Sequence, residues 1–200
     1  MSFIKNTIIC CSALLLFVIA GCKSYDNVIV AEVLQQGINE KIYTACNLWY
    51  TDKNNISCLN IQSGTFIPVG TQIIPVEAIA DSRGGKLTFK DVKGTTYTIN
   101  FVAGLRLMSM QDYIEQIFTK KSLNEQLKDI PTQIQTRIKR GEVVTGMNRK
   151  HVFLSWGYPA SNLTPNLKNN TWIYWTSPEK TIRLVFKGDK VRNVLDFNQQ

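Results

Sequence analysis

Hydrophobic and polar positions change period several times along the chain. Ile8 to Ala20 is one unbroken, mostly aliphatic run of thirteen residues behind a single Lys5. A bilayer-spanning helix needs roughly 20 apolar residues, so the run is too short to cross. A short apolar core behind a positive N-terminus and before small residues reads as a secretory signal over residues 1–21. The next stretch, residues 22–40, has few large apolar groups and predicts a tether, with a short helix or strand near Val28–Leu34.

From Lys41 to about residue 108 the pattern is β. "IYTACNLWYT", "NISCLNI", "TQIIPVEAIA", "KLTFKDV" and "TTYTINFV" follow one another at short spacing. Turn clusters at Asp52–Asn55, Gln62–Gly64, Asp81–Gly85 and Lys93–Gly94 separate them. Leu87 and Phe89 alternate with Thr88 and Lys90, and Tyr97, Ile99 and Phe101 with Thr98 and Asn100. That period of two gives each strand one buried face. Short strands with such punctuation predict a small all-β barrel or sandwich.

After Leu107 the period becomes helical. Ser109 stands as an N-cap, and Tyr113, Ile114, Ile117 and Phe118 make one apolar stripe. Residues 109–130 are expected to be a helical linker. Pro131 opens a second short helical segment that carries Ile134 and Ile138 and stops at Gly141. In "GMNRKHVFLSWGYP", Asn148 caps, Val152, Phe153 and Trp156 face inward, Gly157 suits a left-handed position, and Pro159 forbids restart. The strands "TWIYWTS", "TIRLVFKG" and "KVRNVLDF" follow, with Ile182, Leu184 and Phe186 on one face of the middle one. Residues 131–200 therefore predict a two-layer unit of helix, helix and three-stranded antiparallel meander, and the whole chain an α+β protein.

Three sets of residues resemble known families. Ile19-Ala20-Gly21-Cys22 resembles the lipobox of bacterial lipoproteins. That resemblance implies cleavage before Cys22, acylation of its sulfur and new amino group, and a soluble body tethered to a membrane. Lys23 after the cysteine is not the aspartate that retains such proteins at the inner membrane, which points to the periplasmic face of the outer membrane. "G-x-V-x-x-G-M-N-x-x-x-V-x-x-x-W-G-x-P", Gly141 to Pro159, with "W-I-Y-W" and "L-V-F-K-G-D-K-V" after it, resembles the SmpA/OmlA or BamE-like type. Family members are small outer-membrane lipoproteins, the best known an accessory subunit of the β-barrel folding machine. This chain departs from the pattern at Trp156-Gly157, where the family usually has Leu-Gly, and in carrying a β-rich region in front. "SGTFIPVGTQIIPVEAI" resembles, more weakly, bacterial SH3-like domains, which implies binding of a wall component such as peptidoglycan.

Charge narrows the partners. The chain carries +8, of which +7 remains once Lys5 leaves with the signal. The charge is spread, and an exported lipoprotein meets little nucleic acid, so anionic headgroups and acidic protein surfaces are the expected partners. Cys46 and Cys58 would lie in an oxidising compartment and are expected to form a disulfide across two antiparallel strands joined at "TDKNN".

Catalytic motifs are missing from the sequence: it has no G-x-S-x-G, P-loop, dinucleotide fingerprint or H-E-x-x-H. His151 is the sole histidine and reads as a boundary residue; Asp112 and Glu115 read as surface carboxylates, and Asp52, Asp81 and Asp91 as turn residues. No metal site and no cofactor are expected. The candidate contact residues are Trp156, Tyr158, Trp172, Tyr174 and Trp175, with Lys187 and Arg192 at their rim, facing either a partner or the β-rich region. The sequence thus predicts a non-enzymatic, lipid-anchored envelope protein that works by protein–protein contact in outer-membrane assembly or maintenance. A peptidoglycan-binding lipoprotein and a periplasmic enzyme inhibitor are the alternatives.

Overall fold

The computed structural model describes residues 25–196. Cys22, its lipobox and the signal segment lie outside the described residues. In chain order the elements are β1 (Asp26–Asn27), α1 (Val30–Val33), β2 (Ile42–Thr44), β3 (Leu48–Tyr50), β4 (Ile56–Ser57), β5 (Thr65–Ile67), β6 (Gln72–Ala80), β7 (Gly84–Asp91) and β8 (Thr96–Val102). Then come α2 (Ala103–Arg106), α3 (Met110–Ile117), β9 (Phe118–Thr119), α4 (Leu123–Leu127), α5 (Thr132–Lys139), α6 (Arg149–Trp156), β10 (Thr171–Ser177), β11 (Lys180–Lys187) and β12 (Lys190–Asp196).

The alternation read in the sequence builds β6, β7 and β8 into an antiparallel meander. Leu87, Phe89, Tyr97, Ile99 and Phe101 all turn to its buried face. Pro75 has no N–H for a ladder, and the β6–β7 register shifts just after it, as expected of a bulge. The sheet then grows in ways local pattern does not announce. β1 and β2 lie along one edge of β6, β9 adds to β2, and β4 joins β8 in parallel, giving seven strands. A ribbon of β3 and β5 and a meander of β10, β11 and β12 are separate sheets.

This is not the expected α+β architecture of a small SH3-like barrel followed by a two-layer helical unit. The described residues are mostly β, about 36% of them in strands and 22% in helices, with a curled mixed sheet, a C-terminal meander, and few, short helices. The reason lies in the short strands. β4 and β9 are two residues each and find partners by what they can bury, not by adjacency.

Two expected segments are also absorbed into the fold. Residues 26–34 are no tether: β1 pairs with Ala80 and Ile79, and Val28 and Val30 are buried in the first core. Residues 109–130 are no linker, because α3 sends Met110, Tyr113, Ile114 and Ile117 into that core while Leu127 of α4 enters the second. Phe89 packs edge-on against Phe118 of β9 at 5.1 Å, which ties the sheet to the helical segment.

The second core gathers Ile138, Met147, Val152, Leu154, Trp172, Tyr174, Leu184 and Phe186, and it takes Val69 from the β-rich region. Asn47, fully buried, sits where the two cores meet. Its Nδ2 donates to the carbonyls of Ile138 (2.8 Å) and Ser155 (3.1 Å), and its Oδ1 accepts from the N–H of Val69 (2.8 Å). Gly141, at φ +69°, marks the same seam, since a Cβ there would lie 2.5 Å from Trp49 Cζ2 and 2.8 Å from Phe66 Cε1. A glycine is needed both for that backbone and for that approach.

Candidate functional site

Helices α3, α4 and α6 and strand β9 surround an open groove of about 580 Å³. Each wall has a sequence cause. Ser109 caps α3 and Ser122 caps α4. In both, the third helical residue returns its carboxylate to the cap: Asp112 accepts from the Ser109 N–H, and Glu125 from that of Ser122. These reciprocal capping boxes fix two groove carboxylates in position while satisfying orphan helix donors. The Ser122 hydroxyl and N–H hold the Glu125 carboxyl below the usual carboxylate range. Glu115, one turn after Asp112, adds a third carboxylate to the lining, with Lys121 and Lys150 also present.

The apolar part of the lining is Phe118, Phe153, Leu154 and Tyr158. Phe153 and Tyr158 stack with ring centroids 4.4 Å apart and planes 30° from parallel. Gln126 anchors α4 by donating to the carbonyls of Thr44 and Lys121. The groove thus offers an aromatic surface with three carboxylate side chains set around it. Its volume is that of an ordinary ligand or peptide pocket.

Gln116, Phe153 and Tyr158 also line a second, much smaller cavity of about 10 Å³ together with Cys46, Cys58, Arg106 and Tyr113. It has room for about one water and for no ligand. Arg106, only 2% exposed, donates Nη2 to Gln116 Oε1 at 2.8 Å and lies 5.3 Å from the Tyr113 ring centroid.

Cys46 and Cys58 are both buried and both free thiols, which corrects the expected disulfide. The hairpin that would have joined them does not form: β3 pairs with β5, while β4 pairs with β8. Burial pushes the Cys46 thiol up to about 12 and raises that of Cys58, so neither is a poised nucleophile.

The aromatic residues singled out as contact candidates mostly face inward. Trp156, Trp172 and Tyr174 are buried, and each polar tip is satisfied within the chain. Trp156 Nε1 donates to the Gly141 carbonyl (2.8 Å), Trp172 Nε1 to that of Leu167 (3.0 Å), and the Tyr174 hydroxyl to that of Gly157 (2.8 Å). These three are core residues, not a partner-facing patch. Trp175 is half-buried, and its carbonyl accepts from the Gln62 N–H (2.8 Å), so the β-rich region covers that edge. Tyr158 alone reaches the groove. Lys187 and Arg192 are exposed but line a separate concavity of about 430 Å³ with Thr145, Gly146 and Lys190. Sequence reasoning missed the groove residues Phe118, Lys121 and Glu125. The repeated Ser-x-x-acid pattern at 109–112 and 122–125 was the available signal.

No protein-family model, curated protein or solved structure matches the chain. Among the described residues, no group of three or more His, Cys, Asp or Glu side chains is placed to hold a metal ion. Also among them, no helix is long and apolar enough to cross a membrane.

His151 has a structural task. Its Nδ1 accepts from the Asn148 N–H (3.3 Å) while Asn148 Oδ1 accepts from the His151 N–H (2.9 Å), a capping box for α6. Only the neutral ring accepts at Nδ1. Burial, and then Lys150, hold its pKa below 6.5, with Asp189 opposing. The unfolded chain therefore takes up this proton first. The contribution to stability is complete above about pH 6.5 and is lost as pH falls toward the folded-state pKa. The urea midpoint is expected to drop between pH 7 and pH 5, and the drop is expected to shrink in His151→Ala. An unchanged drop in that variant would assign the pH dependence to other groups.

Proposed function

We propose that the protein is a non-enzymatic envelope lipoprotein, acylated at Cys22, that works by holding a partner polypeptide in the groove between α3, α4 and α6. Its place is the periplasmic face of the outer membrane, and its role is that of a scaffold or accessory in assembly or maintenance of that membrane. The observation that carries the reading is the groove itself, in which capping boxes hold carboxylates beside the stacked Phe153–Tyr158 pair. Such a lining suits an extended segment that brings an apolar or aromatic side chain to the rings and cations to the carboxylates. The lipobox and Lys23 support the address. The use of His151 in a helix cap supports a binding role over catalysis. The wall-binding alternative loses its carrier, because the β-rich region is part of a curled seven-stranded sheet and not an SH3-like barrel.

The test is in-cell photocrosslinking. A benzophenone amino acid at Glu115 is expected to trap one discrete outer-membrane or periplasmic protein. The same probe at Lys93, on an exposed turn away from the groove lining, is expected to trap none. Equal crosslinking at both sites, or co-sedimentation with purified sacculi without any protein adduct, would overturn the reading.

A further inference from the structure

We infer that the end of the molecule formed by Tyr25, the Asp81–Gly84 turn, Val102 and Leu107 is the face that lies against the lipid bilayer. The inference rests on acylation of Cys22, and it adds an orientation and a set of contact residues to that reading. It begins from covalent reach. Cys22 precedes Asp26 by four residues, and Asp26 is already fixed in the sheet opposite Ala80. At about 3.6 Å per residue the extended chain spans at most about 14 Å. The headgroup layer of one leaflet is itself roughly 5–8 Å deep. An acylated Cys22 therefore holds this end of the sheet within that reach of the membrane surface.

The residues gathered at that end suit such a surface. The β1–β6 register runs Asp26 opposite Ala80, so Tyr25 comes beside the Asp81 turn. Gly84 pairs with Val102, the Ala103 N–H donates to the Arg83 carbonyl (2.9 Å), and the Leu107 N–H donates to the Ala103 carbonyl (2.6 Å). Asp26, Asp81 and Met108 line one cavity, which places the α2–α3 connection against the same turn. Tyr25 is 46% exposed, Val102 42% and Leu107 62%. Leu107 is also held at φ +51°, a left-handed conformation that a bulky side chain seldom adopts. That conformation makes Leu107 the C-cap of α2, and it leaves the leucine side chain exposed to water. At an acyl–headgroup boundary its side chain is buried, and tyrosine is at home beside it. The Asp81 carboxylate on this turn is paired with Arg83 at 3.0 Å.

The experiment uses the full acylated chain in vesicles of phosphatidylethanolamine and phosphatidylglycerol. Leu107→Cys is labelled with an environment-sensitive nitrobenzoxadiazole probe; the buried Cys46 and Cys58 stay unlabelled in the folded protein. Ile74→Cys is the comparison. It is 53% exposed on the same sheet but six residues along β6 from Ala80, about 20 Å away. The probe at 107 is expected to shift to the blue and to be quenched by shallow nitroxide lipids at least twofold more than at 74. Val102→Cys is expected to behave like Leu107→Cys. Equal quenching at 74 and 107, with acyl mass present on the protein, would overturn the orientation and leave the anchor standing. A protein without acyl mass that does not float with the vesicles would remove the anchor, and the orientation with it.

Discussion

Asn47→Ala is expected to lower folding stability by about 2–4 kcal/mol, because it strands a buried N–H and weakens two carbonyl pairings at once. The N–H of Val69 has Asn47 Oδ1 as its acceptor, at 2.8 Å. The carbonyl of Ile138 still accepts from Gly141, and that of Ser155 from Trp49 Nε1, so each loses one partner of two. The effect is large because Asn47 joins segments 22, 91 and 108 residues away from it. Asn47→Asp makes the sharper comparison. It keeps an acceptor for Val69 but turns a buried carboxylate toward two carbonyl oxygens. At pH 7 it is expected to be at least as damaging as alanine, with partial recovery in acid as the protonated group regains a donor. Urea unfolding at unchanged m would read this as a shift in midpoint. A change within 0.5 kcal/mol for alanine would show that the seam does not depend on this amide.

Trp172→Ala is expected to cost about 3–5 kcal/mol, the range for removing a buried aromatic side chain. Trp172 packs edge-on against Phe186 at 5.0 Å and lies 6.2 Å from Tyr158, with the Arg149 guanidinium 5.1 Å from its ring centroid. Trp172→Phe keeps much of that area and loses the bond from Nε1 to the Leu167 carbonyl, so its expected cost is about 1–2 kcal/mol. The outcome separates two roles for one residue. As a core residue, Trp172 should show its effect in unfolding and not in partner crosslinking at equal amounts of folded protein. A folded, fully stable Trp172→Ala that fails to bind would return the residue to an interface.

Local chemistry was legible where its causes lie within a few residues. Ser109 and Asn148 cap the helices that their spacing announces, and Gly157 takes a positive φ of 71° at the end of α6. Leu87, Phe89, Ile99 and Phe101 bury as their alternation requires. The carboxylate Asp112 was visible as half of a helix-face pair, but its role as a cap partner and groove wall depends on the return bond to Ser109. The groove as a whole was not legible. Phe118, Glu125, Lys150 and Tyr158 come from four separate places in the chain, and only the docking of α4 and α6 brings them around one space.

The sequence by itself determined the thiol at position 22 behind its apolar run, the strand period, the turns and the helix caps. Each of these is decided by backbone geometry and near neighbours. The tertiary structure alone decided that β3 pairs with β5, that β4 runs parallel to β8, that Cys46 and Cys58 are free thiols, and that Trp156 and Trp172 point inward. A strand of two or three residues has too few ladder bonds to choose its partner by itself. It takes the position that buries the most apolar surface while satisfying its amides, and that depends on groups up to a hundred residues away.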